Sequence, residues 1–565
     1  MDFSGAFRIY AAIVGSLTLL ACQPSKSNNN IDASVVPDGS NSMCGGDTEV
    51  CCANQMCDSG LACVSNVCAP AVTPGACVAG APPWAFVSEV APPTTLAPYQ
   101  QFTMSVTFRN CTGATVARVD ASAATGTKLG FSAPRDYDTF GIKRAAFPAD
   151  VPNASTVTIA MTLRAPPLTG AHTLRFGLVT EGVAWLPAES PQHVINVQAT
   201  SQVATICPGV TADVGGTQPA SDALQSCIDA TPSGGTLALP GGVYRVDKGL
   251  RFANPITVTT AGSTATSPNC WALGSPPCAV LRADANLVTP RGFVFMSAAS
   301  GVHLDRIVID GNRNVRLAST AAASCAATNT GAGFNAHSDN CADCSFRRGI
   351  SARALCGTGW EWTGDNAIIE DNVFYQNGDH NASYMWADGL TLLRSNSAQV
   401  RNNQFYDNSD IDFICGGATN ALLENNVVLH AVQGTFGGLM LDNFNSSTPG
   451  QFQGTLLRNN NVSCGNQLCD FGIVLGPHAW YQSPNIEGGT VTGNTVVGAK
   501  MQMIAEGAGT AANPIVVNGN TLGASAARAT FGCGQTRDTA VFNVSPDSFV
   551  TTADSTARFT YHDCP

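Results

Sequence analysis

The chain has 565 residues and a formal charge of −12 with neutral histidines. Only 12% of its residues are charged, against about 25% in an average domain, and 44% are apolar. An acidic chain without a basic run argues against a nucleic-acid partner, and the apolar content argues against a disordered acidic tail. The 22 cysteines imply an oxidising compartment, and 56 glycines with 31 prolines favour turn-rich β structure.

Arg8 precedes an apolar stretch, Ile9 to Leu20. It is too short to span a bilayer and reads as the core of a signal peptide over residues 1–21. The stretch ends Leu19-Leu20-Ala21-Cys22, which resembles the bacterial lipobox. The resemblance implies that Cys22 is acylated and becomes the mature N-terminus. Gln23 stands where Asp would resemble an inner-membrane retention signal. The expectation is an outer-membrane lipoprotein at the surface of a Gram-negative bacterium, held by several acyl chains. Residues 22–43 read as a flexible tether. Six cysteines follow, Cys44, Cys51, Cys52, Cys57, Cys63 and Cys68. Segment 44–70 is too short to bury a core, so disulfides must stabilise it. The segment resembles the small Cys-rich modules that follow the lipobox in exported lipoproteins.

Residues 75–199 show period-two alternation in Phe102–Phe108, Val157–Leu163 and His172–Val179, separated by turn signals. Short strands at this spacing predict an immunoglobulin-like sandwich. Phe108-Arg-Asn, then Ala165-Pro-Pro-Leu-Thr-Gly170, then Thr180-Glu-Gly-Val-Ala-Trp185 resembles the Ig-like domain of NBR1-type autophagy receptors and their bacterial relatives.

Residues 205–565 open with Ser221–Ala230, where Ala223, Leu224, Cys227 and Ile228 share one helical face. A turn and the strand-turn-strand Leu237–Val246 follow. This order resembles the start of the pectate-lyase-like superfamily, whose fold is a right-handed parallel β-helix capped by a short helix. An Asn before an apolar strand then recurs at Asn372, Asn403, Asn426, Asn461, Asn494 and Asn520. The intervals fit a base coil of roughly 22 residues with loop insertions, and the asparagines read as stacked turn residues. The fold class is all-β: a right-handed parallel β-helix behind an Ig-like sandwich and a disulfide-rich module.

Chemistry concentrates between Asp388 and Leu475. If Leu390, Ile411, Leu439 and Ile473 face inward, strict alternation turns Asp410, Asp412 and Asp442 outward. Asp388 and Asp410 are one bare coil apart, and clustered carboxyls raise one another's proton affinity, as acid catalysis needs. Trp386-Ala-Asp-Gly, then Asp407-Asn-Ser-Asp-Ile-Asp412, is similar to the polygalacturonase-type glycoside hydrolases. The similarity matches Asp388 to the first acid of that family and Asp410 to the second of its Asp-Asp pair. Ser409 stands at the first position of the pair, and Thr435–Gly438 and Phe471–Val474 replace the family's Gly-His-Gly and Arg-Ile-Lys.

The expected site is therefore catalytic Asp388, Asp410 and Asp412, with Trp386, Asp442, His430 and Arg394 contacting substrate. No cofactor is expected. A Ca2+ ion on Asp388, Asp410, Asp412 and Asp442 is the alternative. Cys341-Ala-Asp-Cys344 admits zinc, although disulfides suit the compartment better. Local pairs Cys77–Cys111, Cys207–Cys227, Cys270–Cys278, Cys464–Cys469 and Cys533–Cys564, plus two bridges within 325–356, leave Cys415 as a free thiol. The expected function is a monomeric surface lipoprotein acting on polysaccharide, first as a glycoside hydrolase. A non-catalytic glycan-binding adhesin is the alternative, and a polysaccharide lyase the second.

Overall fold

The computed structural model describes residues 61–70 and 82–523 apart from short gaps, together with Cys77 and the strand Phe542–Val544. The signal peptide, Cys22, the tether, the knot cysteines Cys44 to Cys57, and Cys533 with Cys564 lie outside the described residues. Of the Cys-rich module, strands Leu61–Val64 and Val67–Pro70 form an antiparallel hairpin.

Residues 84–197 form mainly antiparallel sheets around one core, with Asn196 and Val197 pairing Thr95 and Leu96 in parallel. Gln101–Asn110 pairs Trp84–Val90 on one side and Thr156–Arg164 on the other. Its alternate residues Phe102, Met104, Val106 and Phe108 are buried against Phe131, Phe176 and Ile195 of the facing strands. The expected strand His172–Val179 is in fact two. Gly170–Leu174 pairs His193–Val197, and Phe176–Thr180 pairs Thr127–Phe131 in another sheet. The chain changes sheets at Arg175 because Leu174 and Phe176 both have core to fill.

From Gly215 the described residues wind as a parallel β-helix of three sheets, with eleven, eleven and nine strands among them. One coil runs Ile368–Glu370, Val373–Tyr375, Ala387–Leu393. The next runs Gln399–Arg401, Gln404–Tyr406, Ile411–Cys415. Like stacks on like: Ile369 meets Val400, Phe374 meets Phe405 and Leu390 meets Phe413. The Phe374 and Phe405 rings lie 4.9 Å apart at 9°, and Trp360 and Trp362 fill the interior completely. The helix Ser221–Ala230 covers the first coil with Leu224, Cys227 and Ile228. A solenoid end left open would expose core and unpaired backbone.

The asparagine column follows from two neighbouring residues, not one. The first residue of each doublet, at Asp371, Asn402, Asn425, Asn459, Gly493 and Gly519, has φ between 55° and 65°. Asp, Asn and Gly tolerate that left-handed turn best. The second turns inward. Asn403 donates from both its backbone N–H and its amide to Asn426 Oδ1, and Asn426 does the same to Asn460. Asn461 is thereby corrected: it is the exposed first residue of its strand, and Asn460 occupies the column. Among the described residues six disulfides join Cys77–Cys111, Cys207–Cys227, Cys270–Cys278, Cys325–Cys356, Cys341–Cys344 and Cys464–Cys469. Cys415 is a buried free thiol, and Cys341 and Cys344 are not zinc ligands.

Candidate active site

The nine-stranded sheet carries the site on its outer face. Leu390, Leu392, Phe413 and Leu439 belong to the solenoid interior, while Ile411, Ile414, Phe436 and Met440 form a separate cluster outside with Trp386. The alternation therefore slips within strand Ile411–Cys415. Ile411 pairs Gly437 and Phe413 pairs Leu439 in one register, but Asp412 between them makes no ladder pair with Gly438. The same unpaired position recurs at Gly359 and Gly389 on neighbouring strands, where an added Cβ would strike Asn377 and Asn408. The chain bends there to make room for a second interior asparagine column.

This bend sends Asp412 inward, correcting its expected outward position. Its Oδ1 accepts from Asn408 at 2.8 Å, and its Oδ2 lies 2.6 Å from His430 Nε2. Both residues are fully buried. His430 Nδ1 faces the Gln433 carbonyl at 2.8 Å, so both ring nitrogens donate and the imidazole is charged. Burial alone would depress its pKa, but the Asp412 carboxylate, their hydrogen bond and Asp407 raise it to about 9. Asp412 and His430 form a structural ion pair that closes the Asn377–Asn408 column. His430 is therefore not a solvent-facing substrate contact. Asp442 is also fully buried, its backbone N–H donating to Cys415 O. Among the described residues no group of three or more His, Cys, Asp or Glu side chains is placed to hold a metal ion. Arg394 is exposed at a turn, six residues beyond Asp388, ~20 Å along the strand at ~3.3 Å per residue.

Asp388 and Asp410 remain on the outer face, both half-buried. Asp388 Oδ1 accepts the Ile411 N–H at 3.1 Å, which ties it to the next coil. Its Oδ2 lies 2.6 Å from Thr391 Oγ1, which lies 3.0 Å from Thr358 Oγ1, and Thr358 donates to the Trp360 carbonyl. Thr391 Oγ1 is the donor to Asp388 Oδ2, a hydrogen bond that favours the ionised carboxyl. Burial and the charge of Asp410 hold the Asp388 pKa well above the usual carboxylate range, outweighing its two hydrogen bonds. Burial raises Asp410 to about 6. Ser409, at the position of the family's additional acid, serves the backbone instead: its Oγ accepts the Ala387 N–H at 3.0 Å.

Aromatic residues wall the pair. Trp386 stands edge-on to Phe436 at 5.4 Å, and its Nε1 donates to the His380 carbonyl. The His380 ring lies 4.5 Å from Phe436 and points Nδ1 at the Ser409 carbonyl, 2.8 Å away. A carbonyl only accepts, so Nδ1 carries the hydrogen. Sequence reasoning missed His380. The available signal was the loop insertion between Gly378 and Trp386, which lengthens the coil at the step that delivers Asp388.

No protein-family model and no curated protein matches the sequence. Solved structures resemble it at low similarity. An alginate lyase from Paenibacillus sp. is 15% identical over 55% of this chain and 95% of that one, with a TM-score of 0.36. A family 28 exopolygalacturonase from Yersinia enterocolitica is 12% identical over 81% and 100%, TM-score 0.33. The A-module of a mannuronan C-5 epimerase from Azotobacter vinelandii is 16% identical over 59% and 96%, TM-score 0.34. These are parallel β-helix proteins, the class that the three stacked sheets define for this chain.

Proposed function

We propose that the chain acts on polysaccharide and hydrolyses its glycosidic bonds with Asp388 and Asp410. The observation that carries this reading is the pair itself: two half-buried carboxyls on adjacent coils, both with raised proton affinity, beside Trp386. Paired carboxyls with separated proton affinities are what glycoside hydrolysis uses. Asp388, kept protonated by burial and by the charge of Asp410, serves as general acid. Asp410, ionised above about pH 6, serves as base or nucleophile. Trp386 borders the substrate.

The sequence-based expectation of Cys22 acylation adds an outer-membrane anchor, which would hold the enzyme at the cell surface as a monomer. The test is a panel of plant, algal and microbial glycans, read by reducing ends and by absorbance at 235 nm. Hydrolysis releases reducing ends without the absorbance, and a lyase raises both. Unchanged rates in Asp388→Asn and Asp410→Asn would sink the assignment of residues. Glycan binding without turnover on any substrate would favour an adhesin.

A further inference from the structure

The same sheet carries a second feature near the start of the solenoid. A groove of about 730 Å³ is lined by Arg251, Arg291, Phe295, Phe334 and Glu361. Arg251 sits on the first strand of the sheet, Leu250–Phe252, and Arg291 just before the second, Val294–Met296. Both are exposed. Most solenoid arginines face a carboxylate, as Arg401 faces Glu370 and Arg458 faces Glu424. Among the described residues, Arg251 and Arg291 have no such partner. Arg251 Nε donates to Ser297 Oγ at 2.7 Å, and Arg291 Nη1 lies 3.5 Å from His337 Nε2. The one carboxylate of the groove is engaged elsewhere: Glu361 Oε1 lies 2.9 Å from His337 Nδ1. The Phe295 ring stacks on His337 at 5.4 Å and supplies an apolar wall.

The groove lies on the same nine-stranded sheet as the carboxylate pair. Phe334 occupies the space where a Cβ on Gly357 would sit, and the Gly357 N–H donates to the Trp386 carbonyl. Glu361 pairs in register with Thr391, the partner of Asp388. Strand Leu250–Phe252 lies four steps from the Asp388 strand, Ala387–Leu393, in the sheet. At ~4.8 Å per step this is roughly 19 Å along the solenoid, a span for several consecutive sugar rings.

We infer that the groove is a binding subsite for an anionic sugar, a uronate or a sulfate ester, on the polysaccharide whose scissile bond lies at Asp388 and Asp410. The inference rests on the polysaccharide reading and adds its charge. Two unpaired guanidinium groups in a chain of net charge −12 match a carboxylate or sulfate, which the Arg fork binds through two parallel hydrogen bonds.

The test uses the full chain carrying Asp410→Asn and titrates it calorimetrically with four hexasaccharides: oligogalacturonate, its neutral methyl ester, a sulfated carrageenan oligomer and cellohexaose. At least one anionic ligand is expected to bind at least tenfold more tightly than both neutral ones. Adding Arg251→Ala with Arg291→Ala should weaken that ligand at least tenfold and leave the neutral ones unchanged, while Arg458→Ala leaves all four unchanged. Which anionic ligand binds separates carboxylate from sulfate. Equal affinity for charged and neutral ligands, an unaltered double variant, or no binding in the panel overturns the subsite. Wild-type turnover persisting in Asp388→Asn and Asp410→Asn would overturn the catalytic pair alone, because arginine-dependent binding is read separately.

Discussion

Asp410 and Asp412 are two residues apart on one stretch of chain, yet they serve opposite sides of the solenoid. Asp412 lies inside, with Asn408 on one oxygen and His430 on the other. Asp410 lies on the outer face beside Asp388. Both carboxyls have raised proton affinity, and burial is the largest cause in each. A shifted pKa therefore does not distinguish site from scaffold here. The distinction is what burial is matched with. Asp412 is matched with a cation, which is the structural solution. Asp410 is set against a second acid, which destabilises the fold and is useful only to chemistry.

The largest effect should come from removing the outer pair. Asp388→Asn and Asp410→Asn should each lower turnover by ~10²–10⁴-fold, the usual contribution of a positioned acid or base. Circular dichroism should show the fold intact. Asp412→Asn should do the reverse. It leaves the His430 charge buried without its partner, at a cost of about 3–5 kcal/mol in urea denaturation. Any residual activity should follow the fraction folded. A stable Asp412→Asn protein with no turnover would move Asp412 back into the chemistry.

Next in size is the asparagine column. Asn426→Ala removes the acceptor of both the Asn403 N–H and the Asn403 amide. Each buried donor left unsatisfied costs about 1–3 kcal/mol. Asn461→Ala, one residue from the column and exposed, should change stability by less than ~0.5 kcal/mol. Equal losses at Asn426 and Asn461 would show that the column does not carry the coil.

These contrasts also mark what the residues reveal before folding. The doublets Asn402-Asn403 and Asn425-Asn426 announce coils, because a left-handed turn and an inward amide each select Asn. The run Asn459-Asn460-Asn461 offers three asparagines for two places, and only the stacking distance decides among them. Alternation correctly turns Leu390 and Leu439 inward. It fails at Ile411 and Asp412, because the strand bends where neighbouring coils have Gly359 and Gly389. A bend set by the next coil's backbone is not local information. The Arg251–Arg291 groove is less legible still. Its two arginines stand 137 and 97 positions before Asp388, and only the stacking order brings them onto one sheet.

The smallest effect separates the two regions by pH. Asp410 has a folded pKa of about 6, above the ordinary 3.8, so the folded state holds this proton more tightly than the unfolded chain. Its contribution to stability is fully present below about pH 4 and is lost as pH rises through about 6. His430 is raised from 6.5 to about 9, so its contribution is full below about pH 6.5 and is lost as pH rises through about 9. Both losses run in the same direction but in different windows. Asp410→Asn removes the first loss and also relieves Asp388 of the Asp410 charge. It should leave the melting temperature near wild type at pH 4 and raise it by a few degrees at pH 7, with the fall above pH 8 kept. An Asp410→Asn protein no more stable than wild type at pH 7 would mean that burial does not raise the proton affinity of Asp410, and the acid–base pair would lose its physical basis.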